Sequence, residues 1–382
     1  MRQNDGKQRK KVFYIDPQSM HHPAIYDYFL LAEISADLTY FCSKYLDQLR
    51  HNHITYKPVF AYNNIKSDAL KAVSYILSYA AILWYVLTLR PDVIHVQWYK
   101  IPRLDYMFYK VVKALSKTHI VFTAHNVLPH NTGEKYATIY AKLYRLVDHI
   151  IVHTQRSKTE IAEQFGIDQD KIHVIRHGLT RLTYDEKKYD EEKAYYARKY
   201  KTDNKLVFAS VGEQSPYKGV DIVAEVWATT KELRQNNDCL LLMVGRQKGV
   251  DLSQLEGIEN VYIENRRISN EEFLYVLRHT DVYLLLYRNI SQSGTLLDAM
   301  AEHVPVLVTD VGGLTEPMKV GRVGWIAEKA DVESVRRAMT ALVKDKEAVK
   351  AVRQNEADWK KVEQTFNWHD IGLATQRLYD EA

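Results

Sequence analysis

Short apolar runs alternate with amphipathic stretches along almost the whole chain. KVFYID (11–16), DVIHVQW (92–98), HIVFTAH (119–125), HIIVHT (149–154) and KIHVIRHG (171–178) read as strands, being short and rich in β-branched and aromatic residues. Helical patterns follow them near 25–36 and in DYMFYKVVKALSK, KYATIYAKLYRLV and SKTEIAEQF. Ser157 is placed to cap the last of these, with Glu160 completing a capping box. A second series runs through LVFASVG (206–212), CLLLMVG (239–245), NVYIE (260–264), DVYLLLY (281–287) and VPVLVTD (304–310). Apolar strands between helices predict parallel sheets covered on both faces. The charged segment 179–204 carries no strand pattern and reads as a linker with one exposed helix.

The expectation is therefore an α/β chain of two Rossmann-like, doubly wound domains facing a cleft. Its parts are a disordered basic tail (1–10), an N-terminal domain (11–178), the linker (179–204), a C-terminal domain (205–363) and a terminal helical segment (364–382). In such sheets ligands bind outside the carboxyl ends of the strands, and a cleft between domains is a second preferred place.

One segment breaks the pattern. Residues 72–89, AVSYILSYAAILWYVLTL, carry no charge and approach the length of a membrane span. Tyr75, Tyr79, Trp84 and Tyr85 are spread along it rather than confined to its ends, Ser74 and Ser78 interrupt it, and Arg90-Pro91-Asp92 leads at once into a strand. A buried core helix is the expectation, with a helix lying on a membrane surface and a span as alternatives.

Charge adds an asymmetry. Residues 1–180 carry 23 Lys/Arg against 15 Asp/Glu, whereas the remaining residues carry 29 against 33. A basic N-terminal half points to an anionic partner such as a membrane surface or a phosphorylated acceptor; the excess is too diffuse to indicate nucleic acid. The two cysteines, Cys42 and Cys239, lie far apart, which excludes a disulfide framework and fits a reducing compartment. The polar start, MRQNDGKQRKK, lacks the apolar core of a signal peptide. No metal-ligand spacing occurs; His21-His22 and His51-x-His53 read as surface or loop histidines.

Two loops carry candidate chemistry. In SVGEQSPYKGVDIVAEVW a strand ends at Gly212, and Lys218-Gly219 precedes a helix. Free backbone N–H groups at such a helix start favour an anion, and Lys218 adds a point charge for a phosphate. In YRNISQSGTLLDAMA a strand ends in Tyr287-Arg288, and Ser291, Ser293, Gly294 and Thr295 lead into a helix bearing Asp298. The amides suit a diphosphate, and Asp298 suits the vicinal hydroxyls of a ribose. Two anion loops at strand ends of one domain predict a nucleotide with two phosphates.

The ordered set PYKG, LLMVG, DVYLLLY, SG…LLDAMA, VPVLVTDVGG and a terminal W…LY helix, with RPDVIHVQW, VFTAHN and KIHVIRHG before it, resembles the retaining family 4 glycosyltransferases (glycosyl transferases group 1) over nearly the whole chain. The resemblance implies a GT-B fold, with the acceptor on the N-terminal domain, the donor on the C-terminal one, and the terminal helix crossing back to the N-terminal domain. Lys218 matches the family's diphosphate lysine, and Asp298 the ribose-binding second glutamate of its E-x7-E motif. The first glutamate of that motif, which holds the donor sugar, falls at Ile290, and the family's phosphate arginine falls at Glu213. Arg288 with the Ser293 and Gly294 amides is expected to take over the phosphates. His125 in TAHN matches the histidine beside the donor sugar, with Asn126, Pro129 and His130 shaping the acceptor pocket; His177 reads as structural and Glu316 as supporting. Arg267-Ile268 marks the base, contacted largely through backbone. Loop 16–24, ending the first strand, offers Gln18, His21 and His22 to the acceptor.

The expected reaction is transfer of a sugar from a UDP- or GDP-linked donor to a hydroxyl of a glycan or lipid-linked glycan, with retention. The donor is a co-substrate; no further cofactor or metal is expected, because fixed amides and cations can take the leaving diphosphate's charge. The resemblance implies a front-face path in which the leaving phosphate accepts the acceptor proton, with the domains closing to exclude water. A cytoplasmic protein with a peripheral membrane contact fits the basic half and the aromatic helix. The alternatives are a nucleotide-sugar epimerase of the same fold and a non-catalytic nucleotide-sugar-binding module.

Overall fold

The computed structural model describes residues 9–20, 23–46, 50–129 and 133–382. The chain divides into two compact units: residues 1–178 with 367–382, and residues 179–366.

In unit 1 the order is β1 (Lys11–Ile15), α1 (Pro23–Glu33), β2 (Asp37–Ser43), β3 (Ile54–Phe60), α2 (Asp68–Leu89), β4 (Val93–Val96) and α3 (Pro102–Leu115). There follow β5 (His119–Thr123), α4 (Ala137–Leu146), β6 (His149–Val152), α5 (Gln155–Phe165) and β7 (Ile172–Val174). The sheet is parallel throughout, in the order β3-β2-β1-β4-β5-β6-β7. Leu38, Tyr40 and Phe41 of β2 are buried on both faces, but Thr39 and Ser43 interrupt the apolar run, so its sequence does not read as a strand. β3 carries Lys57 and Pro58, which only an edge strand tolerates, and it lies at the sheet edge. Thr154 rather than Ser157 caps α5, accepting from the Ser157 amide; Ser157 sits in the first turn.

Helix α2 is amphipathic rather than buried all round. Tyr75, Ser78, Tyr79, Ile82 and Val86 enter the core, while Leu70, Val73, Leu77, Trp84 and Leu87 are exposed. Tyr75 donates to the buried Asp105 of α3 at 2.7 Å, Tyr79 donates to the same oxygen, and the Ile101 amide holds the other at 2.9 Å. That lock binds α2 to α3 and makes α2 a part of this domain, although its length and composition would allow a span.

In unit 2 the order is α6 (Glu186–Tyr200), β8 (Leu206–Val211), α7 (Val220–Thr229), α8 (Lys231–Arg234), β9 (Cys239–Val244), β10 (Val261–Glu264), α9 (Asn270–Arg278) and β11 (Val282–Leu285). There follow α10 (Gly294–Ala301), β12 (Val306–Thr309), α11 (Glu316–Val320), β13 (Gly324–Ala327), α12 (Val332–Lys344), α13 (Lys346–Gln354) and α14 (Glu356–Thr365). The six parallel strands run β10-β9-β8-β11-β12-β13. The charged segment expected to be a linker belongs to this unit: Tyr196 and Tyr200, four apart, turn one face of α6 into the core, and Lys199 pairs with Glu264 and Glu272. The last helix, α15 (Trp368–Glu381), returns to unit 1, where Ile371, Leu378 and Tyr379 join the core around Tyr14 and Leu30.

Candidate functional site

In unit 2 the chain winds from β8 out to β9 and β10, then crosses back to start β11 on the other side of β8. β8 and β11 flank the point where strand order reverses, the preferred ligand position of such sheets. The two loops singled out in the sequence leave these two strands.

After β8, Gly212 takes φ +96° and Gly219 φ +70°. A Cβ on Gly219 would lie 2.0 Å from the Leu286 carbonyl oxygen, so only glycine brings this turn against β11. Between them Pro216–Lys218 form a tight turn, and the half-buried Lys218 holds its Nζ 3.9 Å from where a Gly212 Cβ would stand. Among the described residues no carboxylate pairs with Lys218. Glu213, in the place of the family arginine, is exposed and faces Lys248 at 3.4 Å.

Arg288, expected to hold phosphate, is committed elsewhere. Its guanidinium forms two 2.7 Å bonds to both oxygens of Asp221 and a further bond to the Pro216 carbonyl, while its amide donates to the Tyr217 carbonyl at 2.9 Å. A bidentate pair neutralises the charge; Arg288 ties the Lys218 turn to the loop after β11. Lys218 remains the unpaired cation of the two.

That second loop is shaped from below. A Cβ on Gly312 would meet the Ile290 carbonyl oxygen at 1.7 Å, and the Gly313 amide donates to the Ser291 carbonyl at 3.0 Å. Ser293 is buried and caps α10, accepting from the Leu296 amide, with Thr295 Oγ1 at 3.0 Å. The amides of Gly294 and Thr295, in the first turn of α10, have no protein acceptor among the described residues, so the helix start presents donors to an anion. Ile290 is 7% exposed and packs into the core, so position 290 holds no sugar hydroxyl by its side chain.

Asp298 is 3% exposed, and its Oδ1 accepts from Thr180 at 2.6 Å. Burial raises its pKa to about 7, against the lowering effect of the Thr180 bond. Aspartate is one methylene shorter than the glutamate the family places there, which leaves the carboxylate inside the packing of α10. A ribose reaching it must share it with Thr180. Arg267 is exposed and Ile268 half-buried, in the loop between β10 and α9. Glu316 opens α11, its amide donating to the Gly313 carbonyl at 3.2 Å.

In unit 1 the carboxyl-end loops bring a buried imidazole chain together. His153 Nδ1 lies 2.9 Å from the Ile175 carbonyl, His153 Nε2 3.1 Å from His125 Nδ1, and His125 Nε2 2.9 Å from the Gln97 side-chain amide. Gln97 reaches His95 Nε2 at 3.0 Å, and His95 Nδ1 meets the Tyr379 hydroxyl at 2.5 Å. Burial lowers these imidazole pKa values, His125 well below its ordinary value, His153 to about 4 and His95 to about 3, so all three are neutral. The Ile175 carbonyl only accepts, so His153 carries its proton on Nδ1, and the Gln97 amide bridges the other two imidazoles, its Oε1 2.9 Å from His125 Nε2 and its Nε2 3.0 Å from His95 Nε2. Trp98 stacks on His125 at 4.5 Å, and Tyr26 stands edge-on at 4.9 Å. Both ring nitrogens are thus occupied within the unit; what His125 offers a ligand is its backbone. His177 packs among Tyr26, His153 and Trp368.

Loop 16–20 is held by its own bonds: Asp16 Oδ1 accepts from the Gln18 amide at 2.7 Å, and Ser19 Oγ joins it to β2 through the Ser43 amide at 2.7 Å. Gln18 and Asn126 are half-buried at the carboxyl ends of β1 and β5. His21, His22 and His130 lie outside the described residues. His51 and His53 bond the Tyr28 and Leu31 carbonyls at 2.8 and 3.3 Å. Sequence reasoning missed Asp221, Thr180, Gln97 and His153. Gln97 alone gave a signal, as a polar residue closing an apolar strand.

Comparisons with known proteins agree with this layout. Residues 31–180 match the model described as Glycosyltransferase Family 4, and residues 192–359 the model described as Glycosyl transferases group 1. The mannosylfructose-phosphate synthase of Agrobacterium fabrum is 25% identical over 251 residues, 62% of this chain and 53% of that protein. The chain spans about half the length of the curated relatives it matches, 53% for the first two. Sucrose-phosphate synthase from Thermosynechococcus elongatus superposes with a TM-score of 0.71 at 16% identity, covering 98% of this chain and 99% of that one. Anabaena HepE, solved with UDP and glucose, superposes at 0.72 and 14% identity, covering 98% and 100%. At these identities the superpositions establish the fold, which is GT-B.

Proposed function

The chain belongs to the group 1 glycosyltransferases, with a family 4 domain on its N-terminal side, and from that premise we propose that it transfers a sugar from a nucleoside diphosphate sugar to a hydroxyl, with retention of configuration. The observation that carries the reading is that Lys218 and the amides of Gly294 and Thr295, which have no carboxylate or carbonyl partner among the described residues, lie on the two loops that flank the strand-order reversal of unit 2. Such a site stabilises the charge that develops on a departing diphosphate. Lys218 and the amides carry that load, not Arg288 and not a bound metal. Asp298 takes the ribose, and the loop with Arg267 and Ile268 takes the base through its backbone. A solved neighbour, Anabaena HepE, has been crystallised with UDP-glucose, which makes a UDP sugar the first donor to try, ahead of a GDP sugar.

The acceptor is a glycan or lipid-linked glycan hydroxyl in polysaccharide or glycoconjugate assembly, on the cytoplasmic face of a membrane; the basic N-terminal half supports this. In a front-face step the leaving phosphate oxygen takes the acceptor's proton as its bond to the sugar breaks and the new glycosidic bond forms. The buried Ile290 favours one competing reading, a module that binds a nucleotide sugar without turning it over. Release of UDP or GDP from a panel of donor sugars, with the anomeric configuration of the product read by NMR, decides among these. Turnover with an inverted product would overturn the mechanism, and binding without turnover would leave the module.

A further inference from the structure

We propose that the face formed by α2 and α3 is a docking surface for an anionic lipid bilayer. Ordinary surface helices turn charges to solvent. From 72 to 89 α2 has none, and Leu70, Val73, Leu77, Trp84 and Leu87 form a stripe along its outer side, with Leu77 64% and Trp84 60% exposed. Met107, Val111 and Leu115 continue the apolar surface on α3, Met107 being 63% exposed. Monomers rarely show a contiguous apolar patch on this scale without a use for it.

The charges beside the stripe identify what covers it. A cavity of about 1250 Å³ opens between the starts of α2, α3 and α4 and shares Lys71 and Met107 with the apolar face. It is lined by five cations, Lys71, Lys100, Arg103, Lys135 and Lys142, against one carboxylate, Asp68, which pairs with Lys71. Among the described residues no carboxylate pairs with the other four. A second protein copy would find apolar surface beside uncompensated cations; lipid headgroup phosphates match both at once. Lys71 and Arg90, at the two ends of the uncharged stretch, are placed to lift their charges to the headgroups. Because Tyr75 and Tyr79 anchor the opposite side of α2 on Asp105, the helix lies flat on the bilayer rather than crossing it.

The cavity also sits at the carboxyl ends of the sheet: Tyr62 follows β3, Lys100 follows β4 and Lys135 follows β5. Docking therefore brings the loops around His125 towards the headgroups, where a lipid-linked acceptor is found. That purpose rests on the glycosyltransferase reading; the docking does not.

The test is co-sedimentation of the full chain with vesicles of phosphatidylcholine alone and of phosphatidylcholine mixed with phosphatidylglycerol, at low and high salt. The wild type is expected on the phosphatidylglycerol vesicles only, with binding weakened by salt. L77D/W84D is expected to abolish it. R103E/K142E is expected to lower the partition coefficient by at least about fivefold per cation. All four residues are exposed or border the cavity, and melting temperature together with UDP-glucose binding checks that the variants fold. Equal binding by the variants, absence of binding by the wild type, or a wild-type dimer dissolved by L77D/W84D would each overturn the docking surface. UDP-glucose binding is read separately, so failure of the sugar-transfer reading shows there and not in the vesicle data.

Discussion

Lys218 and Asp298 make opposite demands on the protein. Lys218 has no carboxylate partner among the described residues, so its removal costs the fold little and the ligand much. Lys218→Ala is expected to weaken donor binding by about 1.5–3 kcal/mol, roughly tenfold to a hundredfold in Kd by calorimetry, with an unchanged melting temperature. Asp298 is the reverse. Its folded pKa, about 7, stands above the ordinary 3.8 because it is buried. Between those values the folded state holds a proton that the unfolded state has lost, so stability is fully present below about pH 4 and declines as pH rises through 7. Asp298→Asn should remove this slope: melting temperatures match the wild type below about pH 4, and the variant is more stable at pH 8, by at most about 4 kcal/mol. Donor affinity should fall at both pH values.

At the scale of elements, the two candidate donor loops are held by glycine contacts and by Arg288. Gly219→Ala forces a Cβ to 2.0 Å from the Leu286 carbonyl at a positive φ; denaturant unfolding should show a loss of about 2–3 kcal/mol, with donor binding lost as the turn moves off β11. The Arg288–Asp221 pair is about 40% exposed on both sides, so a double-mutant cycle on stability should give only about 0.2–1 kcal/mol of coupling. The strand–helix alternation and the position of the two candidate phosphate loops were legible in the sequence, because apolar period and Gly/Ser loop chemistry are local signals. β2 and β3 were not, since Thr39, Ser43, Lys57 and Pro58 break the apolar run that marks a buried strand. Nor was the commitment of Arg288 to Asp221, 67 positions away, because an ion pair between two loops leaves no periodicity behind. The helix at 186–200 looked like a solvated linker because two tyrosines, rather than aliphatic residues, form its buried face.

For the whole molecule, residues 367–382 complete unit 1. Ile371, Leu378 and Tyr379 are buried there, each worth roughly 1.5–3 kcal/mol, and Tyr379 also supplies a hydroxyl to the His95–Gln97–His125 chain. Deleting 367–382 should therefore remove much of a net stability of ~5–15 kcal/mol from unit 1; near-ultraviolet circular dichroism and limited proteolysis should show its packing lost. The same chain of side chains makes the loops around His125 rigid, with neutral imidazoles that only donate and accept hydrogen bonds.

The central claim, a nucleoside diphosphate sugar site at the strand-order reversal of unit 2, is tested most directly by calorimetric titration of UDP- and GDP-sugars into the full chain and into Lys218→Ala. A saturable single site for one donor, weakened at least about tenfold by the substitution, is the expected result. Absence of binding by every donor and by UDP and GDP themselves, or an affinity indifferent to Lys218, would contradict it.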